Sequence, residues 1–283
     1  MRPRLLIAVL LLAHMALLPV FAGFMARRPV EVKLGYVPHP QVLKLVSVDH
    51  SLTVAEMAVI KVLFYFGTLS ERFRENVIVR PEHANMYRTL TAAVQLDPYN
   101  MDAYHFAQAA FTWEVGWFTE VNEMLEWGAR HRTWDPWLQF YIGFNYAYFL
   151  KDYARAANAM QKAAEISGNP MFIGLASRYF YESEQVELGL VFLEAMIAQS
   201  KDEAVKQTYV LRRDALLATR QIETAVTSYR QQTGHNPTRL ADLVKAGLLE
   251  VLPEDPYGGE FYLDSSGKVR TTSKLSVKVP DKS

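Results

Sequence analysis

Tyr153-Ala154-Arg155-Ala156-Ala157-Asn158-Ala159-Met160-Gln161-Lys162-Ala163-Ala164-Glu165-Ile166 is the stretch from which the rest of the chain can be read. It starts on an aromatic, places a small residue three positions on at Ala156, and returns to a second small residue at Ala163. Residues so spaced share one side of a helix. A small side chain there lets a neighbouring helix approach, where a larger one would push the backbones apart. Upstream, Thr91-Ala92-Ala93-Val94-Gln95-Leu96-Asp97-Pro98-Tyr99-Asn100 has the look of a helix ending, with Pro98 as the stop. With Ala93 as the corresponding small residue, the equivalents are Ala129, Ala163 and Met196, at steps of 36, 34 and 33 residues. Self-similarity at so regular a period marks stacked repeats, each burying its apolar face against the next.

The segments between these helices carry a second set of matches. Tyr104, Ala107, Gln108 and Phe111 correspond to Ile142, Gly143 and Tyr146, and then to Ile173, Ala176, Ser177 and Phe180. These positions resemble the tetratricopeptide (TPR) repeat, whose first helix carries tryptophan, leucine, glycine and tyrosine there and whose second helix matches 153–166. Gly143 suits the small position and Gln108 does not; the Trp113–Trp134 stretch departs from the pattern. The resemblance implies antiparallel helix pairs over residues 49–204, including Thr53–Leu69 and Pro81–Leu96. It also implies a protein-binding scaffold without naming a ligand, because such repeats share a scaffold and differ in cargo.

After residue 205 the register changes. Leu216, Ile222, Ala225, Val226 and Tyr229 predict one amphipathic helix, broken at Thr233-Gly234-His235-Asn236-Pro237. Thr238 then caps a short helix that Gly247 stops. A turn-rich loop leads to a hairpin of Phe261-Tyr262-Leu263 and Lys268-Val269-Arg270, joined by Asp264-Ser265-Ser266-Gly267. The motifs Thr233-Gly234-His235-Asn236-Pro237-Thr238 and Leu252-Pro253-Glu254-Asp255-Pro256-Tyr257-Gly258 resemble the globular end of type II secretion major pseudopilins. That family holds calcium near this hairpin. Asp255 and Asp264 are the nearby carboxylates, short of the six to eight oxygens calcium takes, so a turn-forming role for Asp255-Pro256 is favoured. Gly23-Phe24-Met25-Ala26-Arg27 lacks the prepilin-peptidase pattern, which argues against a filament subunit.

The run from Leu5 to Ala26 contains no charged side chain and is closed by Arg27-Arg28. It is about long enough to cross a membrane as a helix. A cleaved signal is the alternative, with Val20-Phe21-Ala22 at the cleavage region; the continued apolar run through Phe24-Met25 favours an anchor. Arg2 and Arg4 face Arg27, Arg28 and Lys33 across the segment, so charge leaves orientation open, although export of the bulk is favoured. Residues 29–48, with Pro38-His39-Pro40, read as an extended linker whose Val42, Leu43, Leu45 and Val46 lie against the first helices.

The expected fold is therefore mainly α. It has an N-terminal membrane helix (1–28), a linker (29–48), a TPR-like solenoid of helix pairs (49–204) and a small α+β module with a hairpin (205–283). Thirty basic residues balance thirty acidic ones, so no nucleic-acid footprint is expected. The chain has no cysteine, which excludes disulfides and thiolate chemistry. No zinc-hydrolase, Walker, nucleophile-elbow or dinucleotide signature occurs, so neither an enzyme nor a cofactor is expected. First-helix residues expected on a concave face are His105, Thr112, Trp113, Phe144, Tyr148, Arg178 and Tyr181. Their aromatic character suits an apolar helix or strand of another protein. The expected partners are proteins of an envelope complex, with secretion or pilus machinery suggested by the C-terminal resemblance. A permanent structural subunit of a larger complex is the rival reading.

Overall fold

The computed structural model describes residues 2–26, 33–75 and 79–275 and is mainly helical. From the N-terminus run α1 (Arg2–Ala26), α2 (Pro40–Ser47), α3 (Ser51–Arg74), α4 (His83–Leu96), α5 (Met101–Ala110) and α6 (Phe118–His131). Then come α7 (Pro136–Tyr148), α8 (Tyr153–Ser167), α9 (Pro170–Glu182), α10 (Val186–Gln199), α11 (Glu203–Thr233) and α12 (Ala241–Lys245). The chain closes on an antiparallel hairpin, β1 (Phe261–Leu263) with β2 (Val269–Thr271), in which Phe261 faces Thr271 and Leu263 faces Val269.

Every second helix of the middle region starts on the same chemistry. Asn100, Asp135, Asn169 and Asp202 precede α5, α7, α9 and α11. Their side-chain oxygens accept the backbone N–H groups of Ala103 (3.1 Å), Trp137 (3.0 Å), Met171 (2.9 Å) and Ala204 (2.9 Å). A side-chain acceptor satisfies one of the orphan donors of a helix start. Pro136 and Pro170 add a preset first turn.

Most side chains that set the sequence period also make the core; Ala129 is the exception, half-buried, with Gly128 the buried small residue there. Ala93, Ala163, Tyr104, Ala107, Phe111, Ile142, Ala176 and Phe180 are buried, and Met196 lies at the buried margin. α3 packs on α4, α7 on α8, α8 on α9, and α10 on α11. Two crossings require glycine. A Cβ at Gly128 of α6 would stand 2.6 Å from the Tyr104 ring of α5, and one at Gly143 of α7 would stand 2.9 Å from Met160 and 3.2 Å from the Ala156 carbonyl oxygen. Any larger residue there forces the Tyr104 ring or the Met160 side chain to shift.

α11 belongs to two cores. Its first half, with Tyr209, Ala215 and Leu216, closes the apolar cluster of α8–α10. Its second half, with Ile222 and Ala225, packs under Leu240, Leu243, Leu249, Phe261 and Val269. The boundary expected near residue 205 therefore falls inside a continuous helix, because no helix breaker occurs before Gly234, which ends it at φ 80°.

Two local expectations are corrected. The stretch 29–48 is not extended throughout: Pro40 starts α2, and His39 Nδ1 accepts the Gln41 N–H at 3.4 Å. Leu43 packs on the core, but Val42, Leu45 and Val46 are exposed, since one face of an eight-residue helix can bury only part of its apolar set. Thr238 does not cap α12; the Asp242 carboxylate accepts the Arg239 N–H instead, at 3.0 Å.

α1 is 25 residues long, roughly 37 Å at the helical rise and enough to cross a hydrocarbon core. Its apolar run Ala13–Phe24 is shorter than a membrane span, and among the described residues the segment long and apolar enough to cross a membrane is Pro40–Arg74. It is interrupted by a short 3-10 turn at Val48–His50 and buries Ala55, Val59, Val62 and Tyr65, which join Met86 and Leu90 of α4 in one core. One side of it joins the core, while most of its apolar stretch is not buried.

Candidate functional site

Helix phase brings the site together. On each first helix, positions four apart lie on one line. These lines are His105, Ala109 and Trp113; then Phe140, Phe144 and Tyr148; then Gly174, Arg178 and Glu182. The first two lines flank an open cavity of about 310 Å³ lined by His105, Gln108, Ala109, Trp113, Phe140, Tyr141 and Phe144. Trp113 is 59% exposed and Tyr148 53% exposed. The Trp113 ring lies 6.3 Å from Phe144, 5.7 Å from Tyr148 and 5.0 Å from Phe149, while Phe144 and Tyr148 stack at 5.3 Å. His105 meets Tyr141 edge-on at 5.7 Å. Lys151 stands 5.3 Å from the centre of the Tyr148 ring, a cation at the rim of an otherwise apolar surface.

Trp113 reaches this surface from a π-helical turn, Phe111–Val115, which ends α5. Gly116 at φ 77° closes the turn, and the Trp117 N–H donates to the Phe111 carbonyl oxygen at 3.0 Å. A turn of this width absorbs extra chain, which explains why the Trp113–Trp134 stretch departs from the repeat pattern. The floor is an amide network. Gln108 Nε2 donates to Asn145 Oδ1, and Asn145 Nδ2 donates back to Gln108 Oε1 and also to Asn122 Oδ1, each at 2.8 Å. Gln108 thus fills by hydrogen bonding a crossing where the pattern asks for a small residue. All three amides are buried, with Asn122 Nδ2 left without a partner among the described residues, and the three bonds tie α5, α6 and α7 together at this level.

Of the residues expected on this face, the structure brings His105, Trp113, Phe144 and Tyr148 together. Thr112 is buried and donates its hydroxyl to the Gln108 carbonyl oxygen. Tyr181 is 4% exposed, and its hydroxyl oxygen accepts the Thr271 N–H at 2.8 Å. Both sit one residue before the exposed line, about 100° round the helix, and so point inward. Arg178 lies on the third line, half-buried, with Nε unpartnered among the described residues. The expectation missed Phe140, Tyr141 and Phe149. The four-residue phase of Phe140 with Phe144 and Tyr148 was the available signal.

The third line is covered where the first two are open. Arg212 of α11 fills the space at Gly174. Arg270 of β2 pairs with Glu182 at 3.5 Å, and Lys268 pairs with Glu184. Burial pushes the Tyr181 phenol up to about 12. Burial, with Glu184 nearby, pushes Glu223 up to about 7 against the pull of Arg270. Asp264 is held at about 2 by Ser266 and the Lys268 N–H.

Asp255 is engaged by donors of its own chain. Its oxygens accept the Tyr257 N–H at 2.9 Å, the Ser273 hydroxyl at 2.6 Å and the Thr271 hydroxyl. The carboxylate is buried and organises the turn ahead of β1. Among the described residues no group of three or more His, Asp or Glu side chains could hold a metal ion. A second, polar cavity of about 450 Å³ between α6, α7 and α8 is lined by Glu126, Arg130, Tyr146, Arg155 and Lys162, among others. Arg155 is engaged there by Asp152 at 2.6 Å and lies over the Tyr146 ring.

Comparison of the chain with family models, with curated proteins and with solved structures finds no match.

Proposed function

We propose that the protein is a membrane-anchored scaffold of TPR-like helix pairs that binds an apolar helix or strand of another protein along the α5–α7 groove. The observation that carries this reading is the half-exposed aromatic surface of Trp113, Phe144 and Tyr148 above a rigid buried amide floor. Exposed, pre-ordered aromatics lose little conformational entropy on binding and supply most of the contact energy at interfaces. Charge at the groove is sparse, so an apolar segment suits it better than a carboxylate tail, which asks for basic clamps. α1 supports attachment to a bilayer, with the remainder of the chain on the exported side. The likeness of the last part of the chain to pseudopilin heads favours secretion or pilus assembly as the setting.

The test is photo-crosslinking in native membranes from a probe at Tyr148 in the intact chain, followed by identification of the captured segment. A crosslinked apolar segment of an envelope protein, lost in Trp113→Ala, is expected. Equal capture from a folded Trp113→Ala variant would remove the groove from the reading.

A further inference from the structure

The outer side of α3 carries an apolar surface that the scaffold does not use. Leu52, Met57, Ile60, Leu63 and Phe64 are all exposed, Phe64 to 75%. At 100° per residue they span an arc of roughly 140° facing away from the buried Ala55, Val59 and Val62. Leu45 of α2, just before, is 79% exposed. Single exposed apolar side chains need no explanation, but a contiguous set on one helix marks a surface that something covers.

Position in the chain says what covers it. α1 ends at Ala26 and α2 begins at Pro40. The span from Ala26 to Pro40 reaches at most about 50 Å even when fully extended. With α1 in a bilayer, α2 and α3 are the first part of the stack to meet its surface. Lys61 borders the apolar arc with an exposed side chain, suited to headgroup phosphates. Two acidic residues of α3 share the arc and are exposed, Glu71 one turn and more beyond Phe64 and Glu56 near its start, where Glu56 Oε2 accepts from Asn100 Nδ2 at 2.7 Å. The opposite face is taken up by protein, since Tyr65 accepts the Glu82 N–H at 2.9 Å and α4 packs along it.

We propose that the outer face of α3 lies in the plane of the bilayer surface as a second membrane contact, which fixes how the helical stack stands on the membrane. The proposal rests on α1 being the anchor. A tether alone leaves the stack free to swivel, whereas a second contact restricts the groove to a limited range of headings.

The absence of cysteine makes the test direct. The full chain is reconstituted in vesicles of phosphatidylethanolamine and phosphatidylglycerol, with one nitroxide-labelled cysteine at a time. The sites are Met57→Cys, Ile60→Cys and Phe64→Cys, with Leu11→Cys in α1 and Gln232→Cys in α11 as references. Collision with oxygen relative to a water-soluble nickel chelate is measured for each, after circular dichroism has verified the fold. The expected result is a ratio several-fold above that of the Gln232 site at all three α3 sites, and below that of the Leu11 site. A water-like ratio at the α3 sites with a lipid-like ratio at Leu11 overturns the proposal and leaves the anchor standing. Low collision with both reagents at the α3 sites means a protein covers the face, and also overturns it. A water-like ratio at Leu11 removes the anchor itself.

Discussion

Equivalent positions of successive helices meet opposite fates in this molecule. Trp113 after α5 and Tyr148 of α7 stand open to solvent, whereas Glu182, at the same position of α9, is engaged by Arg270 of the hairpin. One helix pair along, the aromatic line His105–Trp113 and Phe140–Tyr148 gives way to Gly174, Arg178 and Glu182, and the C-terminal module settles over it. Tyr148 and Glu182 both sit near the ends of regular α-helices, so between them the difference lies in side-chain chemistry. An aromatic line leaves apolar area for an outside segment. A charged line with a glycine lets Arg212 and Arg270 approach, and the array is finished by its own chain.

Four substitutions test this contrast, from the largest expected effect to the smallest. Gly128→Leu in α6 should damage the open region most, since its side chain must enter the space of the buried Tyr104 ring. A loss of about 3 kcal/mol is expected in chemical denaturation, the range for overpacking. A loss below about 1 kcal/mol would mean that α5 and α6 can separate freely. Tyr181→Phe leaves the Thr271 N–H without its acceptor. It should cost about 1–2 kcal/mol and speed hydrogen exchange at the Thr271 amide, with exchange in α7 unchanged. Equal acceleration in both regions would show that the covered and open regions unfold as one.

Glu223 sharpens the contrast through pH. Its folded value of about 7 lies above the ordinary 4.5, so the folded protein holds this proton more tightly than the unfolded chain does. Stability from this group is therefore fully present below about pH 4.5 and falls as pH rises through 7. Glu223→Gln should remove that fall, gaining about 1 kcal/mol at pH 8 after allowance for solvent screening, and nothing at pH 4. Thermal unfolding across that range reads it; a gain equal at both ends would assign the effect to packing. Trp113→Ala should change stability least, by about 0.5 kcal/mol or less, because the ring is largely exposed. A larger loss in the melting temperature would make Trp113 a packing residue of the stack.

Much of the helical frame was legible in order and spacing. The alanines at 93 and 163 and the matched positions from Tyr104 to Phe180 mark the buried faces. The recurring caps Asn100, Asp135, Asn169 and Asp202 carry the same period, a signal as strong as the alanines. The site was legible only in part. Trp113, Phe144 and Tyr148 stand out as aromatics on first helices, but Thr112 and Tyr181 show that a phase error of one residue turns a groove side chain into a core one. The π-helical turn after α5 was hidden because its width depends on Gly116 and on Phe111 packing against Trp117 (ring centres 5.7 Å apart), a contact across the turn. α2 was hidden because Pro38-His39-Pro40 reads equally as linker and as a helix start.

By itself, the sequence determined most of the helices, their period, and the hairpin's approximate place, because these follow from local chemistry. Caps, prolines, glycines and the recurrence of small residues act within a few positions along the chain. Which of two equivalent faces stays open was decided only in three dimensions. Arg212 and Arg270 lie far along the chain from Gly174 and Glu182 and meet them solely because α11 and the hairpin fold back. The same holds for Asp255, whose carboxylate is consumed by hydroxyls from β2 and the turn after it. Residue type set what each position could bind, and long-range packing set what was already bound.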